Sequence, residues 1–193
     1  KEYLAAIPEQ YPQSGKDEVG LITASGAIMD GIQPAGTIGG DSLSELLAEA
    51  RRDDQIKAVV LRVDSPGGSA TASEVIRREL ELTRRAGKPV LVSMGSVAAS
   101  GGYYVACGAT KIVASETTLT ASIGVIIETM NYSELFGKVG LSMTAFTSGA
   151  FKDSLSGARP MREDEKAYVQ NLVMQMYDRF LGIVSEARGV PKE

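Results

Sequence analysis

The chain has 193 residues, 44% hydrophobic and 23% charged, a soluble globular composition long enough to bury a sizeable core. A net charge of -4 offers no basic surface to nucleic acid or to an anionic membrane. Histidine is absent and Cys107 is the one cysteine, which excludes a Ser-His-Asp triad and an internal disulfide and makes a zinc site hard to assemble. Neither a metal nor another cofactor is therefore expected, and Cys107 reads as a small buried apolar residue.

Residues 1–17 are polar and carry Pro8, Pro12 and Gly15, the makeup of an arm or linker, and residues 18–193 are expected to form a single domain. Val19–Ile22 predicts a first strand, extended by Ala27–Met29. The glycines and proline between Asp30 and Gly40 read as a mobile loop. Ser42 and Glu45 have capping-box spacing, and Leu43, Leu46, Leu47 and Ala50 recur at helical spacing, so a helix is expected from Ser42 to about Arg52.

Ala58–Val63 is a β-branched apolar run of the kind buried in parallel sheets. It ends in Asp64–Ser69, and Ala72, Val75, Ile76 and Leu80 carry a helix to about Arg85. Gly87-Lys88-Pro89 breaks that helix, and Val90–Met94 is the next strand. The alternation predicts an α/β fold of βαβ units on a mostly parallel sheet, with active groups at the carboxyl ends of its strands. The uncharged run from Pro89 to Thr110 is long enough to raise the question of a membrane span. Its glycines and serines, with a strand-to-helix change inside it, favour a buried core segment. No signal peptide is visible, and a chain beginning at Lys1 leaves a membrane anchor in a longer protein open.

Lys111–Ala114 predicts a short strand, and Thr118–Ile126 a loop leading to a further one. Asn131–Lys138 should be helical and Ser142–Phe146 extended, followed by a loop, Ser148–Ser154, that holds an isolated Lys152. Glu163, Asp164 and Glu165 suit a helix amino end. Val169, Leu172, Val173, Met176, Phe180, Ile183, Val184 and Ala187 then keep helical period, so one long amphipathic helix should reach about Arg188, its apolar stripe serving core or subunit contact.

The stretch that organises the rest is Val97–Tyr104, where small residues crowd both sides of Ser100. A strand delivers the serine and a helix begins just after it, leaving backbone N–H groups free to receive developing negative charge. The plainer alternative is a small-residue cluster that lets a helix pack closely on a sheet. A catalytic Ser100 needs a base, and without histidine that base is a lysine, a carboxylate or a terminal amine, of which lysine is the best attested. Pro66-Gly67-Gly68 can turn a backbone N–H outward, and Gly68 with Gly101 would make a two-donor oxyanion hole. An ordinary strand-to-helix turn is the competing reading.

In these residues the chain resembles the signal peptide peptidase A family, also called protease IV, of the Clp protease and crotonase superfamily. The matching stretches are Leu61–Ser69, Gly87–Val90, Ser93–Gly95, Ala98–Tyr104, Thr118–Val125, Ser148–Asp153 and Tyr177–Phe180, so the likeness runs from about Glu18 onward. It implies a Clp protease/crotonase-like fold and a Ser-Lys protease domain with Ser100 as nucleophile and Lys152 as general base. Ser122 matches the serine that holds the lysine amine, and Gly68 and Gly101 match the oxyanion donors. Met29-Asp30-Gly31 and Gly39-Gly40-Asp41 are similar to the serine-bearing half of long members, whereas the presence of Lys152 matches short members, in which serine and lysine meet across a subunit boundary of a ring. The resemblance thus implies a homo-oligomer acting on remnant signal peptides and other unfolded apolar peptides. It also implies a bacterial or archaeal cytoplasmic membrane location, with the catalytic domain extracytoplasmic, an anchor outside this soluble chain, and further family segments beyond Glu193.

Lysine titrates near ~10.4 in water, so a base near neutrality needs a downward shift of roughly 2 to 3 units, about 3 to 4 kcal/mol. Burial beside Phe151 and apolar groups across an interface would supply it, and Asp153 opposes it if close. The rival functions are a crotonase-like enzyme acting on an acyl-CoA thioester, which also uses two backbone donors, and a catalytically silent scaffold for membrane proteins.

Overall fold

The computed structural model describes residues 17–192, so the expected arm lies, all but its last residue, outside the described residues. The chain divides into two compact units, one ending at Ala121 and the other beginning at Ser122.

The first unit is built on a parallel sheet. Strands β1 (Glu18–Ser25), β4 (Ile56–Ser65), β5 (Val90–Ala99) and β6 (Lys111–Val113) lie side by side in that order, and β7 (Leu119–Ala121) pairs with the far half of β5. Helices α1 (Gly40–Arg52), α2 (Ala70–Arg85) and α3 (Gly101–Ala106) contribute to its core. The alternation of a strand explains which side chains they meet: Val59, Leu61 and Val63 of β4 and Val90, Val92 and Met94 of β5 are buried with Leu43, Leu47, Ile76, Leu80 and Val105. Leu61, Ile76 and Leu80 are fully buried, each contributing about 1.5–3 kcal/mol of apolar burial. Residues of opposite parity, such as Leu21 and Arg62, are exposed. The uncharged run from Pro89 to Thr110 is β5 followed by α3, a core segment. No helix among the described residues is long and apolar enough to cross a membrane.

Two local expectations give way here. Ile28 and Met29 do not extend β1, because Gly26 turns the chain with a φ of 108°; they form β2 (Ile28–Met29), paired in parallel with β3 (Ile38–Gly39) inside the stretch expected to be a loop. The Ser42–Glu45 capping box does not form either. Helix α1 starts two residues earlier with Gly39 as its cap, and the Ser42 hydroxyl donates back to the Gly39 carbonyl at 3.4 Å. By contrast, α2 has a side-chain cap, Ser69 Oγ accepting from the Ala72 N–H at 3.2 Å.

The second unit holds α4 (Ser133–Lys138) and the long α5 (Glu163–Arg188), which ends at Gly189 in the left-handed conformation, φ 64°. Neither a strand after Ala121 nor one at Ser142–Phe146 is present among the described residues. Strand character needs a ladder partner for its N–H and C=O groups, and without one Phe146 stands 95% exposed. On α5 the predicted stripe is buried only at Phe180, Ile183 and Val184, while its Met176 and Ala187 are exposed.

Candidate active site

Ser100 occupies the turn between β5 and α3 with φ 50° and ψ −118°, a conformation costly for any residue with a Cβ. Three contacts hold it there. Its N–H donates to the Ala121 carbonyl at 2.8 Å, its carbonyl accepts from the Tyr104 N–H at 2.9 Å, and β7 pairs with Val97–Ala99 immediately before it. The approach to the turn is bent by an irregularity in the sheet: β4 advances from Val63 to Ser65 while β5 advances from Met94 to Ala98. The surplus backbone is held by the Asp64 carboxylate, whose Oδ1 accepts from the Val97 N–H at 3.0 Å, and by Thr118, whose hydroxyl donates to the Gly95 carbonyl at 2.9 Å. Glycine is required at position 95, where a Cβ would lie 2.7 Å from the Asp64 side chain.

The glycine loop after β4 lies against this turn. A Cβ on Gly67 would fall 2.6 Å from the Gly101 nitrogen and 2.8 Å from Ser100 Cβ, so only glycine allows the approach. Ile28 of β2 fixes the other side of the loop: its N–H donates to the Gly67 carbonyl at 2.9 Å, and its carbonyl accepts from the Ser69 N–H at 2.8 Å. In such a parallel bridge the Gly68 N–H points away from β2. The Gly101 N–H, first in α3, has no partner within the helix. The structure thus brings Ser100, Gly101 and the Gly67-Gly68 loop together in the first unit. A separate pocket of about 440 Å³, lined by Arg62, Ser93, Gly95, Ser96, Ser115 and Thr118, opens elsewhere in that unit and contains none of the candidate residues.

Ser122 and Lys152 belong to the second unit. Ser122 follows Ala121 directly, and both have positive φ, 67° at Ala121 and 51° at Ser122. Lys152 is exposed, on a turn closed by its N–H donating to the Gly149 carbonyl at 3.2 Å. The surrounding charges carry the information that the sequence did not. Asp153 is gripped by Arg159, Nε to Oδ2 at 2.9 Å and Nη2 to Oδ1 at 2.8 Å. The same guanidinium donates to the fully buried Glu165, Nη1 to Oε2 at 2.8 Å and Nη2 to Oε1 at 2.6 Å. Arg159 chiefly, with the Arg162 N–H and the Ser154 hydroxyl, holds the Glu165 carboxyl down to about 2, against the cost of burial. It also holds the Asp153 carboxyl below its usual range. Phe151 is only half covered, its ring 5.3 Å from that of Tyr168.

Known proteins share this arrangement of sequence. The Peptidase family S49 model matches residues 83–193. Protease 4 of Salmonella typhi is 43% identical over 172 residues, 88% of this chain and 27% of that protein. An Enterococcus faecium protein provisionally named signal peptide peptidase SppA is 40% identical over 144 residues, 75% of this chain and 42% of its own. The chain therefore spans between about a quarter and two fifths of the length of these curated relatives. Among solved structures, a ClpP1 mutant from Listeria monocytogenes superposes with a TM-score of 0.52 at 13% identity, over 89% of this chain and 74% of that one, which establishes the Clp protease/crotonase-like fold. The segment matched by the family model contains Ser100, Ser122 and Lys152, and the chain belongs to peptidase family S49.

Proposed function

We propose that this chain carries a serine endopeptidase in which Ser100 is the nucleophile, Lys152 the general base, Ser122 the residue that holds the lysine amine, and Gly68 and Gly101 the oxyanion donors. The observation that carries the reading is the strained Ser100 turn packed against a glycine loop whose free N–H lies beside that of Gly101. Two fixed donors aimed at a developing oxyanion are worth about 10²–10³ in kcat each, because they need no reorganisation as charge appears.

In this mechanism the Lys152 amine takes the Ser100 proton as Oγ bonds to the scissile carbonyl carbon and the carbonyl electrons move to oxygen. The proton passes to the leaving amine as the C–N bond breaks, giving an acyl-enzyme, and water repeats the sequence to free the acid. The amine must be unprotonated to begin, and Lys152 is exposed in the single chain. The reading therefore requires a neighbouring copy to exclude water around it, in one homo-oligomeric ring of Ser-Lys protease domains. Large apolar side chains left uncovered in the second unit support such a neighbour: Phe146 at 95%, Met130 at 77% and Ile126 at 76% exposure.

The substrates in this reading are cleaved signal peptides and other unfolded apolar peptides, met at the extracytoplasmic side of the cytoplasmic membrane through an anchor outside this chain. The backbone after β7 suits such substrates, since residues 122–127 alternate between exposed and half-buried with no ladder partner among the described residues. A fluorophosphonate should label Ser100, and Ser100→Ala and Lys152→Ala should each abolish peptide hydrolysis. If the dyad spans two copies, mixing and reassembling the two inactive variants should restore about a quarter of the sites. Labelling at a different residue, or full activity in Lys152→Ala, defeats the reading.

A further inference from the structure

The segment carrying Lys152 is tied to the start of α5 on both sides of the lysine. Before it, the Ala150 carbonyl accepts from Arg162 Nη2 at 2.9 Å; after it, Asp153 is held by Arg159, and the Ser154 hydroxyl donates to Glu165 Oε1 at 3.2 Å. Glu165 is the anchor, fully buried and also accepting from the Arg162 N–H at 2.8 Å. Arg159 is the link between anchor and loop, because its planar fork donates two hydrogen bonds to each carboxylate at once, four in all, where a lysine has three N–H groups.

The charges in this cluster also matter to an amine. An uncompensated carboxylate one residue from Lys152 would favour the ammonium form and withhold the base. Here each carboxylate is met by a guanidinium: Asp153 and Glu165 by Arg159, Glu165 and Asp164 also by Arg162. Also at this end of α5, Glu163 and Lys166 pair with each other, Oε1 to Nζ at 2.6 Å, and Tyr168 is stacked on Phe151.

We propose that Arg159 is a positioning residue for the Lys152 amine: it fixes the backbone that carries the lysine and cancels the charge of the neighbouring Asp153 carboxylate. The inference rests on the reading of Lys152 as the base, and its test separates the two. The pH dependence of kcat/KM for a fluorogenic peptide is measured on the assembled enzyme and on Arg159→Gln, Asp153→Asn and the double variant, with Lys152→Ala as control. Arg159→Gln releases the carboxylate, so the acidic limb of the profile should move up by about half a pH unit to one unit. Asp153→Asn leaves the guanidinium charge alone, so its limb should move down, and the double variant should return near the wild-type position. A purely structural role would lower kcat in all three without moving the limb. Should Arg159→Gln fail to fold through the stranded Glu165, Asp153→Asn still decides: a limb at the wild-type pH overturns the proposal. Residual activity in Lys152→Ala overturns the reading of the base instead.

Discussion

Replacing Gly67 by alanine isolates what the close approach of the glycine loop to Ser100 is worth. Two costs add at this position. With φ +102° the alanine sits in a region that disfavours L side chains by about 1–2 kcal/mol. Its Cβ would also meet the Gly101 nitrogen at 2.6 Å, Ser100 Cβ at 2.8 Å and the Ala99 carbonyl oxygen at 3.0 Å. Two of these three are backbone atoms held by β5 and α3, so relief comes from the loop and the serine turn moving apart by several tenths of an ångström. Misplacing a nucleophile or a donor on that scale costs about 10²-fold, and losing one oxyanion donor costs about 10²–10³ in kcat. Gly67→Ala should therefore lower kcat by about 10²–10³ with little change in KM. Gly87→Ala is the matched control, since Gly87 has φ +85° but nothing within 4 Å of its missing Cβ. It should lose only the backbone cost of about 1–2 kcal/mol and keep full activity. Both variants are followed by thermal melts and by steady-state hydrolysis in parallel. A folded Gly67→Ala enzyme within threefold of wild type would refute the argument that this contact sets the geometry of the nucleophile.

Acid should weaken the second unit through its carboxyls. Glu165 and Asp153 lie below their unfolded values, so each contributes stability at neutral pH that is lost as pH falls, for Glu165 between about 4.5 and about 2. Melts between pH 7 and pH 2 should show the midpoint falling through that window, and Glu165→Gln should flatten the fall; a curve unchanged by the substitution contradicts the assignment. The sheet irregularity before Ser100 can be probed at Asp64, where alanine leaves the Val97 N–H without its acceptor at a cost of about 1–3 kcal/mol. Asp64→Ala should slow fluorophosphonate labelling, and Asp64→Asn, which keeps an acceptor oxygen, should restore most of the rate. Equal slowing in both would assign Asp64 a role through its charge.

Much of the first unit is legible in the sequence because each run has one physical solution. Ala58–Val63 and Val90–Met94 are β-branched and uninterrupted, so they lie in the interior of a parallel sheet, and Ile76 and Leu80 recur at the spacing of a helix covering it. Ser100 stands out because small residues flank it, which is what a strained turn needs. The two-residue pairing of β2 with β3 is not legible, since so short a ladder has no period, and the Val63 to Ser65 irregularity leaves no trace in hydrophobic pattern. Ser142–Phe146 has a strand's composition but lacks a partner among the described residues, so composition alone misleads. Glu165 reads from the sequence only as a helix-start acid, with nothing to mark it as buried. Only in three dimensions does Arg159, six residues upstream, make its burial tolerable.

Strand β7 is three residues long, yet its last carbonyl takes the Ser100 N–H. Fraying of so short an edge requires far less free energy than melting β4 and β5, and it releases the one hydrogen bond that pins the serine's amide. In the proposed mechanism the placing of the Ser100 hydroxyl would then follow a local equilibrium, distinct from the one that keeps the sheet folded, and whatever clasps that edge would shift it.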